Sequence, residues 1–231
     1  QNQRGYLNLC ELLARAWTTN VQRAQALVKW EWLESHGEGL LALSGADGGA
    51  VGQALLAGDV ERAERLARKL ADMFPRRFFI EVQRAGLTSN ERHLRAAVPL
   101  ASKVKLPLVA THPVQFLEPD DFEAHEARVC VAEGETLANP KRIKRFSREQ
   151  YLKSRAQMEA LFADLPVAVS NTLAIAQRCN LQLTLGKPRL PDFPTPGGIP
   201  IAQHFRDASR AGLEVRLAQL YPDPAQRDRE H

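Results

Sequence analysis

GLLALSG at residues 39–45 and RFFIEV at residues 77–82 are short apolar runs, separated by a helix-forming stretch at residues 59–74. Both runs have the length and composition of strands buried on two faces. A third apolar run, at residues 106–116, follows a stretch predicted to be helical up to residue 104. Parallel neighbouring strands cannot be joined by a tight turn, so this alternation predicts parallel strands connected by crossover helices. We therefore expect an α/β fold in the first half of the chain, as part of a barrel or of a layered sheet.

Helical patterns dominate outside these three runs. An amphipathic helix is predicted at residues 6–17, where apolar residues recur at spacings of three and four. Further helices are predicted at residues 120–133, 147–163, 166–179 and 201–220, and the next strong strand signal is at residues 181–185. Two capping boxes are expected, Thr88 with Glu91 and Ser147 with Gln150. Prolines and glycines between residues 188 and 200 predict a stiff, extended connector.

The composition is that of an ordinary folded domain. Of the 231 residues 44% are hydrophobic and 25% charged, whereas disordered chains have fewer large apolar groups. The 31 basic residues are nearly balanced by 27 acidic ones, so the net charge of +4 permits nucleic-acid binding without indicating it. No apolar run is long enough to cross a bilayer, which predicts a cytoplasmic protein without membrane contact. The chain starts at Gln1 and ends in a polar, helix-compatible stretch, so we expect a fragment of a longer protein.

Several segments, taken in order, carry a resemblance to a known family. They are RGYLNLCELL (4–13), GLLALSG (39–45), RFFIEVQRAG (77–86), LPLVATHPVQFLEPDDFEAHEARVC (106–130), YLKSRAQMEALFADLP (151–166), NTLAIAQRCN (171–180) and LPDFPTP (190–196). This series resembles the alpha subunit of bacterial DNA polymerase III, in its polymerase and histidinol phosphatase (PHP) domain and the segment leading to the palm. The resemblance implies an incomplete PHP-type distorted β/α barrel followed by a mainly helical segment. The implied bounds are 1–118 for the later part of the PHP domain, 119–187 for its helical continuation and 188–231 for the connector and helix toward the palm.

In the family the PHP domain resembles a metal-dependent phosphoesterase, with His, Asp, Glu and Cys ligands at strand ends. A His-x-His pair that provides the first ligands would precede Gln1. Where a metal-competent member has Cys after Ser-Gly, this sequence has Ala46, and where it has Asp-x-His, this sequence has Pro113 and Gln115. Alanine and proline have no side-chain donor for a metal, so the resemblance implies a degenerate site, no cofactor in this segment and no catalytic residue. His112 is the one remaining candidate ligand.

The resemblance implies a parent DNA-directed DNA polymerase that uses Mg²⁺ held by aspartates outside this sequence. This segment would be a scaffold that docks the proofreading exonuclease subunit, and other replicase subunits, DNA and deoxynucleoside triphosphates would be partners of the parent. A free-standing PHP-type phosphoesterase is the alternative, and a truncated interaction module is a third, weaker interpretation. The densest basic run, at Lys141, Arg142, Lys144 and Arg145, is a weak candidate for phosphate contacts, although such runs are usually solvated loops. His125 and Glu126 are neighbours on a predicted helix and point to different sides, which argues against a catalytic pair.

Overall fold

The computed structural model describes residues 1–188 and 192–223, and the chain divides into two compact units, Gln1–Gln182 and Leu183–His231. The helices of the first unit are α1 (Gln3–Thr19), α2 (Trp30–His36), α3 (Ala50–Leu56), α4 (Val60–Met73), α5 (Thr88–Val104), α6 (Phe122–Glu133), α7 (Arg155–Leu161) and α8 (Pro166–Arg178). Its strands are β1 (Val21–Gln22), β2 (Gln25–Ala26), β3 (Ala42–Leu43), β4 (Phe78–Gln83) and β5 (Leu108–Thr111). The second unit contains α9 (Ile201–Leu220). The predicted α/β first half and mainly helical continuation are confirmed.

The central sheet has the strand order β3-β4-β5, and both pairings are parallel. Ala42 lies opposite Phe78, and Ile80 lies opposite Leu108. α3 and α4 connect β3 to β4, and α5 connects β4 to β5, so both connections are the expected helical crossovers. Within the described residues the sheet is open, with β3 and β5 as its outer strands.

The core lies between the sheet and the crossover helices. Phe78, Ile80 and Val82 of β4 are all buried, and the helices facing them contribute small residues such as Ala63 and Ala97, which are fully buried. Small side chains let a helix approach the sheet closely, and each fully buried large apolar side chain contributes about 1.5–3 kcal/mol. This packing fixes the strands whose ends form the site described below.

α1 is held at its first turn by a close backbone approach. The Asn2 side chain accepts a hydrogen bond from the Gly5 N–H at 3.0 Å, and the Asn8 amide donates to the Glu38 carbonyl at 2.9 Å. A Cβ on Gly5 would lie 2.1 Å from the carbonyl oxygen of Gly39, which itself has φ +72°. Glycine is therefore required at both positions.

Several local predictions are wrong. Residues 147–153 are not helical, because their polar groups bond to the loops after β4 and β5, and the helix starts only at Arg155 with a Ser154–Gln157 capping box. Thr88 is the first residue of α5 and its N-cap, Leu87, has no side-chain hydrogen bond, so the predicted capping box is not formed. The strand predicted at residues 181–185 is absent from this described stretch, and the run at 106–116 is a strand only over Leu108–Thr111. The sequence patterns did not predict the β1–β2 hairpin or the short helices α2 and α3.

The α9 bounds agree with the predicted helix at residues 201–220. Residues 189–191 of the predicted connector lie outside the described residues, as does the polar end of the chain from residue 224. The domain bounds predicted at residues 118 and 187 stay predictions. Among the described residues, no helix is both long enough and apolar enough to span a bilayer.

Candidate functional site

The carboxyl ends of β3, β4 and β5 meet at one edge of the sheet, where parallel α/β folds place their functional groups. Ser44, Gly45 and Ala46 follow β3, and Thr111 ends β5. Glu81 projects from β4 between them. It is the one acidic residue in an otherwise apolar strand interior, and it is the centre of this site.

Both carboxylate oxygens of Glu81 accept hydrogen bonds from the protein. Oε2 accepts from the Gly45 N–H at 3.0 Å, and Oε1 accepts from the Thr111 hydroxyl and, at 3.3 Å, from the Gln83 amide. The Gln83 amide also donates to the Thr111 hydroxyl oxygen at 2.9 Å, and the Glu81 N–H donates to Ser44 Oγ at 2.9 Å. Glu81 thereby links all three strands of the sheet.

The positions at which the family resemblance implies metal ligands do not provide them. Ala46 is buried and has φ +46°, a left-handed conformation that is strained for a residue with a Cβ. Pro113 offers only its carbonyl oxygen, which accepts from the Gln150 amide at 3.1 Å, and Gln115 is exposed. Within residues 1–188 and 192–223, no three His, Cys, Asp or Glu side chains converge as a metal would require. The residues present therefore do not fit a metal-bound phosphoesterase centre.

His112 is oriented by the main chain of a covering segment. One ring nitrogen, Nε2, lies 2.8 Å from the Glu149 carbonyl oxygen, while the buried Nδ1 has no partner among the described residues. Burial is the main cause that lowers the pKa of His112. Burial thus favours the neutral form of the imidazole, and metal binding by His112 stays a prediction.

We call residues 146–153 the strap, because they lie across the loops that follow β4 and β5. Ser147 Oγ donates to the Ala85 carbonyl, and Gln115 donates its N–H to the Gln150 carbonyl at 2.8 Å. Tyr151 forms an isolated parallel bridge with Phe116, and the Gln150 side chain is buried. The strap therefore joins the loops after β4 and β5 to α7.

A second polar cluster lies beneath the Gly45–Ala46 turn. The Asn90 side chain accepts from the Ala85 N–H and donates to the Asp47 carboxylate, both at 3.0 Å. His93, one turn further along α5, is 1% exposed, and neither ring nitrogen has a hydrogen-bond partner in the described part of the chain. Burial lowers the pKa of His93, an effect that Asp47 and Glu81 oppose.

His125 and Glu126 are both buried but contact different groups. The His125 ring lies between Phe116 and Phe146, at centroid distances of 5.5 and 4.7 Å. Glu126 forms an ion pair with Arg142, and the side chains of the two residues are 5% and 4% exposed. The pair attaches the loop after α6 to that helix, which is a packing role.

The basic run is less available than the sequence predicts. The Arg142 side chain is buried by its ion pair with Glu126, so it adds no exposed charge, and Arg145 pairs with Glu133 at 3.2 Å. Lys141 and Lys144 are exposed and have no ion-pair partner within the described ranges. Contact with phosphates stays a prediction, and it now depends on these two lysines.

The sequence did not single out Glu81 or His93. The signal for Glu81 was present, because a carboxylate inside the apolar run RFFIEV must find donors when the strand is buried. His93 gave no comparable signal. Its burial depends on the rotation of α5, which is set by packing on the sheet.

Comparison with known proteins identifies a domain family and a set of relatives. Residues 1–85 match the family model of the PHP domain. The chain is 49% identical over 221 residues to DNA polymerase III subunit alpha of Pseudomonas aeruginosa, which covers 96% of this chain and 19% of the relative. It is 42% identical to the subunit of Vibrio cholerae over 224 residues, and 41% identical to that of Escherichia coli K12 over 226 residues. Those alignments cover 97% and 98% of this chain and 19% of each relative.

The resemblance predicted from the ordered sequence segments is confirmed, and the chain is homologous to a segment of DNA polymerase III alpha subunits. It spans about a fifth of the length of the curated relatives it matches.

Proposed function

We propose that this chain is a segment of a DNA-directed DNA polymerase alpha subunit that acts in DNA replication in the cytoplasm. The single observation that carries the proposal is 41–49% identity to DNA polymerase III alpha subunits over nearly the whole chain. The complete polypeptide would add deoxynucleotides to a primer on DNA, with Mg²⁺ held by aspartates outside this sequence. On this proposal no residue of the chain is assigned to that chemistry.

Within the parent, the segment acts as a scaffold. The hydrogen-bonded Glu81 and the ligand-poor positions Ala46 and Pro113 support a structural role over hydrolysis at this edge of the sheet. The scaffold would hold the proofreading exonuclease subunit beside the polymerase, and other replicase subunits would bind elsewhere on the parent.

Primer extension by the polypeptide encoded by the complete gene tests the enzymatic part. We expect Mg²⁺-dependent incorporation of deoxynucleotides on a primed DNA template. Absence of incorporation, together with hydrolysis of a phosphate ester and near-stoichiometric zinc or manganese, would support the phosphoesterase alternative.

A titration of the same polypeptide with the exonuclease subunit tests the scaffold part. Saturable association at micromolar or lower concentration is expected. If the polypeptide extends primers but does not bind the exonuclease, the polymerase assignment stands and the docking role is wrong.

A further inference from the structure

The segment that follows α6 is attached to that helix by a row of ion pairs. We call residues 141–148 the basic segment, because it contains five basic residues and no acidic one. Each of its three arginines pairs with one glutamate of α6: Arg142 with Glu126, Arg145 with Glu133 at 3.2 Å, and Arg148 with Glu123 at 3.2 Å. The glutamates are three and seven residues apart, a spacing that places them on one face of the helix. This face of α6 therefore holds the arginines of the basic segment.

The three ion pairs differ in how easily they open. The pair of Arg142 with Glu126 is buried, and breaking it would leave a buried charge without a counter-charge. The side chains of Arg145 and Arg148 are 63% and 61% exposed. Exposed ion pairs are screened by water and contribute little, so a stronger anion can displace their glutamates. Arg142 is thus the fixed point of the basic segment, and the other two arginines are exchangeable.

Two lysines add charge that no ion pair neutralises in the described part of the chain. Lys141 and Lys144 are exposed and lie on either side of the buried Arg142 in the sequence. Asn139 fixes the start of the basic segment, because its side chain accepts from the Lys141 N–H at 3.0 Å and its carbonyl accepts from the Arg142 N–H at 3.2 Å. The basic segment therefore offers two lysines for a first contact and two arginines that can join them.

We infer that the basic segment binds the sugar-phosphate backbone of duplex DNA, and that Arg145 and Arg148 exchange their α6 glutamates for phosphates when it does. Duplex DNA carries one negative charge for about every 1.7 Å of its axis, a density that favours phosphates over single exposed carboxylates. Arg142 is a positioning residue, since its buried pair holds the segment on α6 and keeps its own charge away from the phosphates. This inference rests on the proposed function, because a replicative polymerase would supply the duplex.

The side chains of the basic segment favour a duplex over a single strand. Surfaces that bind single strands stack the bases on exposed aromatic rings. Phe146 is the one aromatic residue of the basic segment, and its ring packs edge-on against His125 at a centroid distance of 4.7 Å. The exposed apolar side chain is that of Ile143, which has no ring. The basic segment can therefore contact phosphates but presents no platform for bases.

Lysine acylation of the polypeptide encoded by the complete gene, with and without a saturating primed duplex, locates the contact. Mass spectrometry is expected to show that Lys141 and Lys144 lose reactivity when the duplex is bound. Lys105, which is exposed at the end of α5, is the internal control and should react equally in both samples. Unchanged reactivity of Lys141 and Lys144, or equal protection of Lys105, would overturn the inference.

The exchange of the arginines is tested by removing the carboxylates that compete with DNA. Glu123→Gln with Glu133→Gln should raise the affinity for the duplex roughly 2- to 30-fold at low salt, because each exposed ion pair no longer has to be opened. Glu61→Gln with Glu159→Gln is the matched control, since it frees two exposed arginines from glutamates elsewhere in the first unit. Equal gains for the two double variants, or a larger gain with single-stranded DNA than with the duplex, would contradict the inference.

Primer extension on the same samples separates this inference from the polymerase assignment. If the unsubstituted polypeptide extends primers while Lys141 and Lys144 stay fully reactive, the assignment stands and the basic segment is not a DNA-binding surface. If it neither binds the duplex nor extends primers, both the assignment and this inference are wrong.

Discussion

At the scale of single residues, buried polar groups decide the character of the site. Glu81 satisfies its carboxylate with donors from β4, from β5 and from the turn after β3, whereas His93 is buried without any described hydrogen-bond partner. A buried polar group that has its partners stabilises a unique arrangement, and one that lacks them costs about 1–3 kcal/mol. The two residues are therefore expected to respond to substitution in opposite ways.

His93→Leu is expected to leave stability near pH 7 unchanged or to raise it by about 1 kcal/mol, because it removes a buried group without partners. It should also reduce the loss of stability in acid. Burial lowers the folded-state pKa of His93 below its ordinary value of about 6.5, so the unfolded chain binds the proton more tightly. This contribution to stability is fully present above about pH 6.5 and is lost as the pH falls toward the lower folded-state pKa.

Urea unfolding above and below about pH 6.5 measures this effect. The free energy of unfolding should fall less in acid for His93→Leu than for the unsubstituted chain. His112 and His125 retain their own contributions of the same sign, since burial lowers the pKa of each. An unchanged acid dependence in the variant would show that His93 is protonated as easily in the folded state as in the unfolded one.

Arg84→Met is expected to lower the free energy of unfolding by about 2 kcal/mol. The Arg84 side chain is 15% exposed, donates to both carboxylate oxygens of Asp164 at 2.6 and 2.8 Å, and bonds to the Leu161 carbonyl at 2.7 Å. Its guanidinium also lies 5.1 Å from the centre of the buried Phe162 ring. Denaturant unfolding compares it with Arg155→Met, which removes an exposed arginine from an i,i+4 pair with Glu159 and should change little. Equal effects of the two substitutions would show that Arg84 does not stabilise the packing of β4 against the α7–α8 region.

At the scale of elements, local patterns predicted the helices and strands whose contacts are mostly local or purely apolar. α4, β4 and α9 agree with their predicted ranges to within a residue or two. The strap was predicted as the start of a helix because Ser147 and Gln150 have capping-box spacing. Only one half of that box forms, from the Ser147 N–H to Gln150 Oε1, and the Gln150 amide donates instead to Pro113. Bonds between residues so distant in sequence leave no periodic signal.

Gln150→Ala is expected to loosen the strap and to cost about 1–2 kcal/mol, because the buried side chain accepts from Ser147 and donates to Pro113. Limited proteolysis should then cut the chain within residues 134–153 faster than it cuts the unsubstituted chain there. Gln177→Ala, at an exposed position on α8, is the matched control. Unaltered cleavage of the Gln150 variant would mean that the backbone bonds hold the strap without this side chain.

At the scale of the whole molecule, the fold class and the polymerase resemblance could be predicted because they depend on apolar runs and on an ordered series of motifs. The details of the site could not. Whether Arg142 is exposed depends on Glu126, which is sixteen residues away and becomes its partner only when the loop folds onto α6. Charge counted along the sequence therefore overestimated the basic surface.

The remaining exposed charge gives a prediction for DNA binding. If the loop contacts phosphates in the complete polypeptide, the double substitution Lys141→Glu with Lys144→Glu should weaken DNA binding. It should also make the slope of log K against log salt concentration less steep, by an amount that corresponds to about two phosphate contacts. Arg62→Glu with Arg95→Glu applies the same change of charge on α4 and α5, where both arginines are exposed. Binding titrations at several salt concentrations separate the two pairs. Equal losses would indicate a general electrostatic effect without a contact at this loop.

Thermal unfolding of the complete polypeptide during a titration with zinc or manganese tests the scaffold role most directly. Because Glu81 is already occupied by protein donors, we expect Glu81→Gln to lower Tm at every metal concentration and to leave unchanged any rise in Tm that metal bound elsewhere in the polypeptide produces. A metal that binds at this edge of the sheet would instead add about 2.7 kcal/mol of stability when its free concentration is 100 times its Kd. A rise in Tm with near-stoichiometric metal that Glu81→Gln abolishes would contradict the scaffold role and place a metal centre at this edge of the sheet.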